Sequence, residues 1–178
     1  KTIRAAFFDL SEEGLLSAAN MILLEQANPS WQGTFATVNP ANKTEFPRGA
    51  FTSNGLTKDE HIPGELCSFL LLDIDPIKNN PTLGQSNATP NEKAYALASG
   101  HLINQMLESL GLRATLTVSS GNGFHGLYPV EGITKVQHQR FLQFIAKKWN
   151  TIAPLELLKR VTVDKSVYNP ARLMRVPG

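Results

Sequence analysis

Two aspartates separated by one residue close an apolar run at residues 67–75. Asp73 and Asp75 flank Ile74, and side chains two apart on a strand point to the same side. Two like charges at the end of a hydrophobic strand are costly unless a cation neutralises them, and oxygen ligands suit Mg²⁺ or Mn²⁺. The alternative is a solvated exit from the strand, because Asp-Pro commonly starts a turn.

A second group lies in the polar, glycine-rich segment 119–125. Its candidate phosphate-binding residues are Ser120, Gly121, Asn122, Gly123 and His125. Exposed backbone amides with a hydroxyl and an imidazole beside them can cradle a phosphate. The alternative is a hairpin turn whose two glycines adopt positive φ angles, with the histidine packed at a strand edge.

A third group lies near the C-terminal end of the sequence. Asp164 follows a short apolar strand at 161–163 and is a candidate third metal ligand. Arg172 and Arg175 are three residues apart, so a helical turn would place them on one side, where guanidinium groups suit triphosphate or DNA phosphates. The alternative is a capped turn with solvated arginines.

The first 65 residues predict a small αβ extension. An apolar run at 5–8 and the segment 34–38 predict strands, and the segment 41–65 predicts a long ordered loop. Between the two strands, Ser11 caps a helix that Asn28 and Pro29 end. Its apolar residues recur at helical spacing: Leu15, Leu16, Ala19, Ile22 and Leu23.

From residue 67 onward, the predicted order is strand, helix, strand, strand, helix, strand. Capping boxes open both helices, at Thr89 and at Thr134. The first helix runs through Leu97, His101, Met106 and Leu110 to Gly111. The apolar face of the second contains Phe141, Phe144, Ile145, Trp149 and Ile152. The fold class is therefore α+β: a mainly antiparallel sheet with a ferredoxin-like or RNA-recognition-like (RRM-like) βαββαβ core over about 67–164.

Composition sets broad limits on function. The 178 residues carry a formal charge of +2, which permits a polyanionic partner without requiring one. The single cysteine, Cys67, excludes an intrachain disulfide and a multi-thiolate zinc site. The sequence has no run approaching ~20 apolar residues and no signal-peptide pattern, so we expect a cytoplasmic protein without a membrane partner.

Taken together, the three groups resemble a known family. The segments 72–76 (LDIDP), 120–125 (SGNGFH), and VD at 163–164 followed by NPAR at 169–172 are similar to the three motifs of the archaeo-eukaryotic primase superfamily. The likeness is closest to the primase-polymerase branch of phage, plasmid and CRISPR-associated replication proteins. Order and spacing agree over roughly 34–178.

The resemblance implies that Asp73, Asp75 and Asp164 bind two catalytic divalent metal ions, Mg²⁺ or Mn²⁺. It also implies that the 120–125 turn contacts the phosphates of an incoming nucleotide through Ser120 and His125, with help from Arg172.

Three further positions follow the family pattern less closely. Val38-Asn39-Pro40 is similar to the family's N-terminal Asn-Pro segment, and Arg48 matches a basic position after it. The resemblance therefore implies that Asn39 and Arg48 also contact the nucleotide. At Arg175 the relatives have a basic residue followed by an aromatic one, whereas here Val176 and Pro177 follow.

The resemblance implies a template-directed nucleotidyltransferase that makes or extends primers on single-stranded DNA from nucleoside triphosphates. It implies one primase-polymerase catalytic domain over 1–178, with an N-terminal part at 1–65 and a catalytic part at 66–178. We expect this to be a fragment of a longer protein, with a helicase domain or protein as a candidate partner. Two alternatives remain, a sugar-nucleotide transferase with an Asp-x-Asp pair and a catalytically idle RRM-like nucleic-acid-binding module. A rolling-circle endonuclease needs a histidine pair that the segment around His125 lacks.

Overall fold

A computed structural model of the chain describes residues 11–27, 34–41, 58–77 and 87–175. Its helices are α1 (Glu12–Gln26), α2 (Pro90–Ser109), α3 (Lys135–Ile152) and α4 (Leu155–Leu158). Its strands are β1 (Phe35–Thr37), β2 (Leu66–Pro76), β3 (Leu116–Ser119), β4 (Phe124–Thr134), β5 (Val161–Val163) and β6 (Leu173–Arg175). Two 3₁₀ turns, Asp59–His61 and Pro63–Glu65, precede β2. The strand predicted at 5–8, Arg48 and most of the loop predicted at 41–65 lie outside the described residues.

Four strands form the main sheet in the order β3-β4-β2-β5, and every neighbouring pair is antiparallel. The chain order β2-α2-β3-β4-α3-β5 is the ferredoxin-like series. The predicted α+β class is therefore confirmed. The two central strands, β2 and β4, have 11 residues each, so they provide the rigid centre on which a site can be built.

Local capping explains where α2 and α3 begin. The Thr89 side chain accepts from the backbone N–H of Glu92, and the Thr134 side chain accepts from that of Gln137. In both boxes the side chain of the third helical residue accepts a hydrogen bond from the backbone N–H of the cap residue. Gly111, at φ +84°, follows the end of α2. These boundaries agree with the sequence prediction.

Tertiary contacts set the inward faces of α2 and α3, and that of α3 differs in part from the predicted one. The buried residues of α2 are Ala96, Ser99, Gly100, Ile103 and Leu107, whereas His101 and Leu110 are exposed. The reason is a close approach at Gly100, where an added Cβ would lie 2.4 Å from the Phe124 ring. In α3 the buried residues are His138, Leu142, Ile145 and Trp149, while Phe144 and Ile152 are exposed.

The N-terminal extension contains the predicted helix and strand. Ser11 caps α1, since its side chain accepts from the N–H of Gly14 at 3.1 Å. Leu15, Leu16 and Leu23 are each more than half exposed, so the apolar spacing of α1 does not mark a buried face within the described residues.

The two arginines near the C-terminal end do not lie on a helical turn. Residues 173–175 form β6, which pairs antiparallel with β1, and the N–H of Val38 donates to the carbonyl of Arg172 at 2.8 Å. The predicted helical turn is therefore wrong. Spacing along the chain could not reveal it, because the strand partner lies well over 100 residues away in sequence.

In the part of the chain that the structure describes, no helix has the length and apolar character needed to cross a membrane.

Candidate metal site

Asp73 and His125 occupy the face of the sheet that points away from the helices. The Phe124 ring lies beneath α2 at Gly100, so the next residue on β4, His125, points to the opposite face. In the β2–β4 register Ile74 pairs with Phe124, and Asp73 pairs with His125. The predicted separation of Asp73 from Ile74 onto opposite faces is therefore confirmed.

Three carboxylates meet on this face. One oxygen each from Asp73, Asp75 and Asp164 lies within 4.8 Å of the others. Two adjacent strands bring them together, because Val163 of β5 pairs with Ile74 of β2. The N–H of Asp164 then donates to the carbonyl of Asp73 at 2.9 Å, which places the third carboxylate beside the first two. The predicted convergence is confirmed, and these three residues can hold a metal ion.

The charges around the cluster fit a divalent cation. Asp73 is 9% exposed, and its Oδ1 has no hydrogen-bond partner among the described residues. Nε2 of His125 lies 3.3 Å from that oxygen, and Nη2 of Arg172 lies 3.7 Å from Oδ2 of Asp164. A buried carboxylate oxygen that no described residue hydrogen-bonds calls for an explanation. Three carboxylates form the donor set that a hard cation prefers. The residues present therefore fit Mg²⁺ or Mn²⁺.

The glycine-rich turn between β3 and β4 lies against the same cluster. The N–H of Ser120 donates to the carbonyl of Gly123 at 3.0 Å, and the N–H of Gly123 donates to Oγ of Ser120 at 2.9 Å. Gly121 has a φ of +90°. Gly123 is needed for space: an added Cβ would lie 2.2 Å from the carbonyl oxygen of Ile74 and 3.1 Å from Oδ1 of Asp75. The turn is a hairpin and also a close neighbour of the carboxylates.

The polar side chains of the turn hold its shape in this structure. Oδ1 of Asn122 accepts from the N–H of Ala88 at 2.9 Å, which ties the turn to the segment before α2. The hydroxyl of Ser120 accepts from within the turn. Nδ1 of His125 is buried and has no hydrogen-bond partner among the described residues. Nucleotide contacts of Ser120, Gly121, Asn122, Gly123 and His125 remain predictions.

The side chain of Asn39 holds backbone groups. The residue is 2% exposed, and its Oδ1 accepts from the N–H groups of Ser68 and Phe69 at 2.8 and 3.0 Å. Its Nδ2 donates to the carbonyl of Pro170 at 2.9 Å. Arg175 lies in β6. Direct nucleotide contact by Asn39, Arg48 or Arg175 remains a prediction.

Comparison with known proteins adds one distant likeness. No protein-family model matches the chain, and no curated protein matches it. The polymerase domain of Mycobacterium tuberculosis ligase D, solved in complex with DNA, is similar at a TM-score of 0.41 and 18% identity. The match covers 62% of this chain and 38% of that chain, so this chain spans less than two fifths of that structure.

A cleft of about 490 Å³ opens beside the carboxylates. It is lined by Asp75, Thr162, Val163, Asp164, Lys165, Ser166 and Tyr168. The sequence analysis did not predict that Lys165, Ser166 or Tyr168 would line a site. The one sequence feature that could have indicated it is that they follow Asp164 closely along the chain. The cleft leaves the carboxylate cluster accessible from the β5 side.

Asp59 is a second residue that sequence reasoning missed. Its Oδ1 accepts from the N–H of Ala171 at 3.1 Å, and its Oδ2 accepts from Nζ of Lys135 at 2.9 Å. Burial alone would raise the pKa of Asp59, but Lys135 and the Ala171 amide outweigh it and lower that pKa below its ordinary value. The residue stands in an ordinary polar run, 58–61, which carries no sequence signal of this role.

Proposed function

We propose that the chain is a template-directed, divalent-metal-dependent nucleotidyltransferase. It would synthesise or extend primers on single-stranded DNA from nucleoside triphosphates. The observation that carries the proposal is the convergence of Asp73, Asp75 and Asp164 beside a glycine turn and the guanidinium of Arg172. The order of the three motifs along the sequence supports the choice of a nucleotide as substrate.

Asp73, Asp75 and Asp164 would hold two divalent metal ions. When bound, such ions polarise phosphate oxygens, lower the pKa of the attacking hydroxyl and stabilise the departing pyrophosphate. The protein contributes rigid placement, because two of the carboxylates lie on β2 and the third follows β5, its hydrogen-bonded neighbour. A site built on strands of a sheet is held more firmly than one built on loops.

The reaction would join the 3′-hydroxyl of a primer to the α-phosphorus of the nucleotide, as the bond to pyrophosphate breaks. Negative charge stays on the phosphates throughout, so cationic and hydrogen-bonding groups at fixed positions lower the barrier. Arg172, whose side chain is 37% exposed, would contact the phosphates through its guanidinium, which lies at the edge of the carboxylate cluster. His125 would donate to a phosphate oxygen from its Nδ1, which has no hydrogen-bond partner among the described residues.

Charge also argues against an idle nucleic-acid-binding module. Recognition domains of this shape display aromatic side chains on the open face of the sheet, where bases stack. Here that face carries Asp73, Asp75 and Asp164, which repel a phosphate backbone unless a cation intervenes. DNA binding by this chain would be salt-dependent and weakly sequence-selective.

The decisive experiment supplies unprimed single-stranded DNA, labelled nucleotides and Mn²⁺. Product on the unprimed template would show priming, and product only with a primer would show extension. If the unaltered protein makes no more product than Asp73→Asn on either the unprimed or the primed template, the proposed function is wrong. A sugar-nucleotide transferase would instead consume a nucleotide sugar without DNA, and the same preparation can be assayed for that reaction.

A further inference from the structure

Arg172 lies at the end of a short turn, residues 169–172, which we call the Arg172 turn. The N–H of Arg172 donates to the carbonyl of Asn169 at 3.0 Å, and its own carbonyl accepts from Val38 at 2.8 Å. The guanidinium is partly exposed, and its contact with Asp164 is long. A flexible side chain of this length depends on its backbone for direction, so whatever holds the turn decides where the charge can reach.

Asn39 holds the Arg172 turn. Its amide nitrogen donates to the carbonyl of Pro170, while its amide oxygen accepts from the N–H groups of Ser68 and Phe69 at the start of β2. Because β2 also carries two of the site's carboxylates, this buried amide connects the turn directly to the strand on which the site is built.

Asp59 also holds the turn. It accepts from the N–H of Ala171, the residue immediately before Arg172, and its second oxygen is held by Lys135 at the start of α3. The Asn169 side chain also helps to lower the pKa of Asp59. Hydrogen bonds to a charged acceptor are about twice as strong as neutral ones, so this contact is well suited to fix the turn.

We propose that Asp59 is a positioning residue, which together with Asn39 fixes the Arg172 turn so that the guanidinium faces the carboxylate cluster and meets the nucleotide's phosphates. The inference rests on the proposed function. Asp59 would touch neither metal nor nucleotide, and its effect on nucleotide use would pass entirely through Arg172. A merely structural tie would lower stability without a specific link to Arg172.

A double-mutant cycle between Asp59 and Arg172 separates these roles. Asp59→Ala should raise the KM for nucleotide about tenfold, as loss of a supporting hydrogen bond typically does. It should add little in the Arg172→Ala background, where there is no guanidinium left to position. Asp59→Asn, which keeps an acceptor for the Ala171 amide, should recover most of the affinity. If the KM increase of the double variant equals the product of the increases in the two single variants, the proposal is overturned.

Glu60→Ala is the matched control, because Glu60 is the next residue on the same 3₁₀ turn and contacts Lys58 and His61. It should leave KM unchanged. If Glu60→Ala raises KM as much as Asp59→Ala does, the effect comes from disturbing the 3₁₀ turn in general. That result would overturn the assignment to Asp59.

Amide exchange in the absence of nucleotide distinguishes failure of this inference from failure of the proposed function. Exchange at Ala171 and Arg172 should accelerate in Asp59→Ala and stay unchanged in Glu60→Ala. If the unaltered protein incorporates no nucleotide, the proposed function fails, and the exchange result alone decides whether Asp59 holds the turn. Unchanged exchange in Asp59→Ala would overturn the proposal.

Discussion

Asp73 and His125 face each other across the two central strands, with Oδ1 of the carboxylate 3.3 Å from Nε2 of the imidazole. They are register partners on antiparallel strands, and both are largely buried. The contact brings a residue from the first motif and one from the second into a single site. Two buried polar atoms therefore lie within one short stretch of the sheet, Oδ1 of Asp73 and Nδ1 of His125. Neither is hydrogen-bonded to a described residue.

Replacing Asp73 with Asn should abolish metal-dependent stabilisation and leave the fold intact. The unaltered protein should gain about 2.7 kcal/mol in free energy of unfolding at a metal concentration of 100 Kd, and the variant should gain almost nothing. Nucleotide incorporation should fall more than about 100-fold. Chemical denaturation with Mn²⁺ and with a chelator measures the first effect.

Glu131→Gln is the control for that experiment, since Glu131 is an exposed acid elsewhere on β4. It should keep the metal response. A variant at Asp73 that still gains stability from Mn²⁺ would contradict the metal site.

Replacing His125 with Ala should weaken nucleotide use more than template binding. Its imidazole lies at the carboxylate cluster, whereas template contacts extend along the backbone of the DNA. KM for nucleotide and Kd for single-stranded DNA are the two quantities to compare. His101→Ala is the control, because that ring contacts Phe124 on the helix side of the sheet, with centroids 6.1 Å apart. Equal losses in both quantities for His125→Ala would indicate a scaffold role.

Replacing Gly123 with Ala should damage both stability and metal binding. The new Cβ would lie 2.2 Å from the carbonyl of Ile74, so β2 or the turn must move. We expect a loss of at least about 1–3 kcal/mol in free energy of unfolding, typical of overpacking. Gly111→Ala is the comparison: nothing lies within 4 Å there, and only its φ of +84° opposes a side chain, at about 1–2 kcal/mol. Unchanged stability of Gly123→Ala would contradict the close packing. Full stabilisation of this variant by Mn²⁺ would contradict the expected effect on metal binding.

Stability should fall in mild acid because of His138. Burial lowers the pKa of this side chain below 6.5, and the hydrogen bond to the carbonyl of Leu71 only partly opposes that shift. The unfolded chain therefore binds the proton at a higher pH than the folded protein, so stability is lost as the pH falls through about 6.5 toward the folded-state pKa. The slope reaches at most about 1.4 kcal/mol per pH unit. Denaturation at about pH 7.5 and about pH 5.5 measures it.

The thiol of Cys67 lies beside His138 and carries no negative charge that would offset the burial of a charged imidazole. Sγ of Cys67 lies 3.8 Å from Nδ1 of His138, and burial raises the pKa of Cys67 to about 11, so the thiol stays protonated. His138→Gln should flatten the pH dependence between those two conditions. An unchanged slope in that variant would assign the acid sensitivity to other groups.

Local patterns predicted most of the elements correctly. Capping boxes at Thr89 and Thr134 and the continuous apolar run before Asp73 depend on residues only a few positions apart, and that is why their boundaries agree with the structure. The inward face of α2 was not predicted, because the contact of Gly100 with Phe124 depends on a strand from elsewhere in the chain.

The sequence by itself determined which side chains are available for chemistry and on which strands or turns they stand. Asp73 and Asp75 share one face because of strand alternation alone. The tertiary structure decided that Asp164 joins them, that Gly123 must lie against Ile74, and that Asn39 and Asp59 hold the Arg172 turn. The two contacts to the turn join residues 131 and 112 positions apart, and a local pattern cannot encode such partners because they form only when the sheet brings distant segments together.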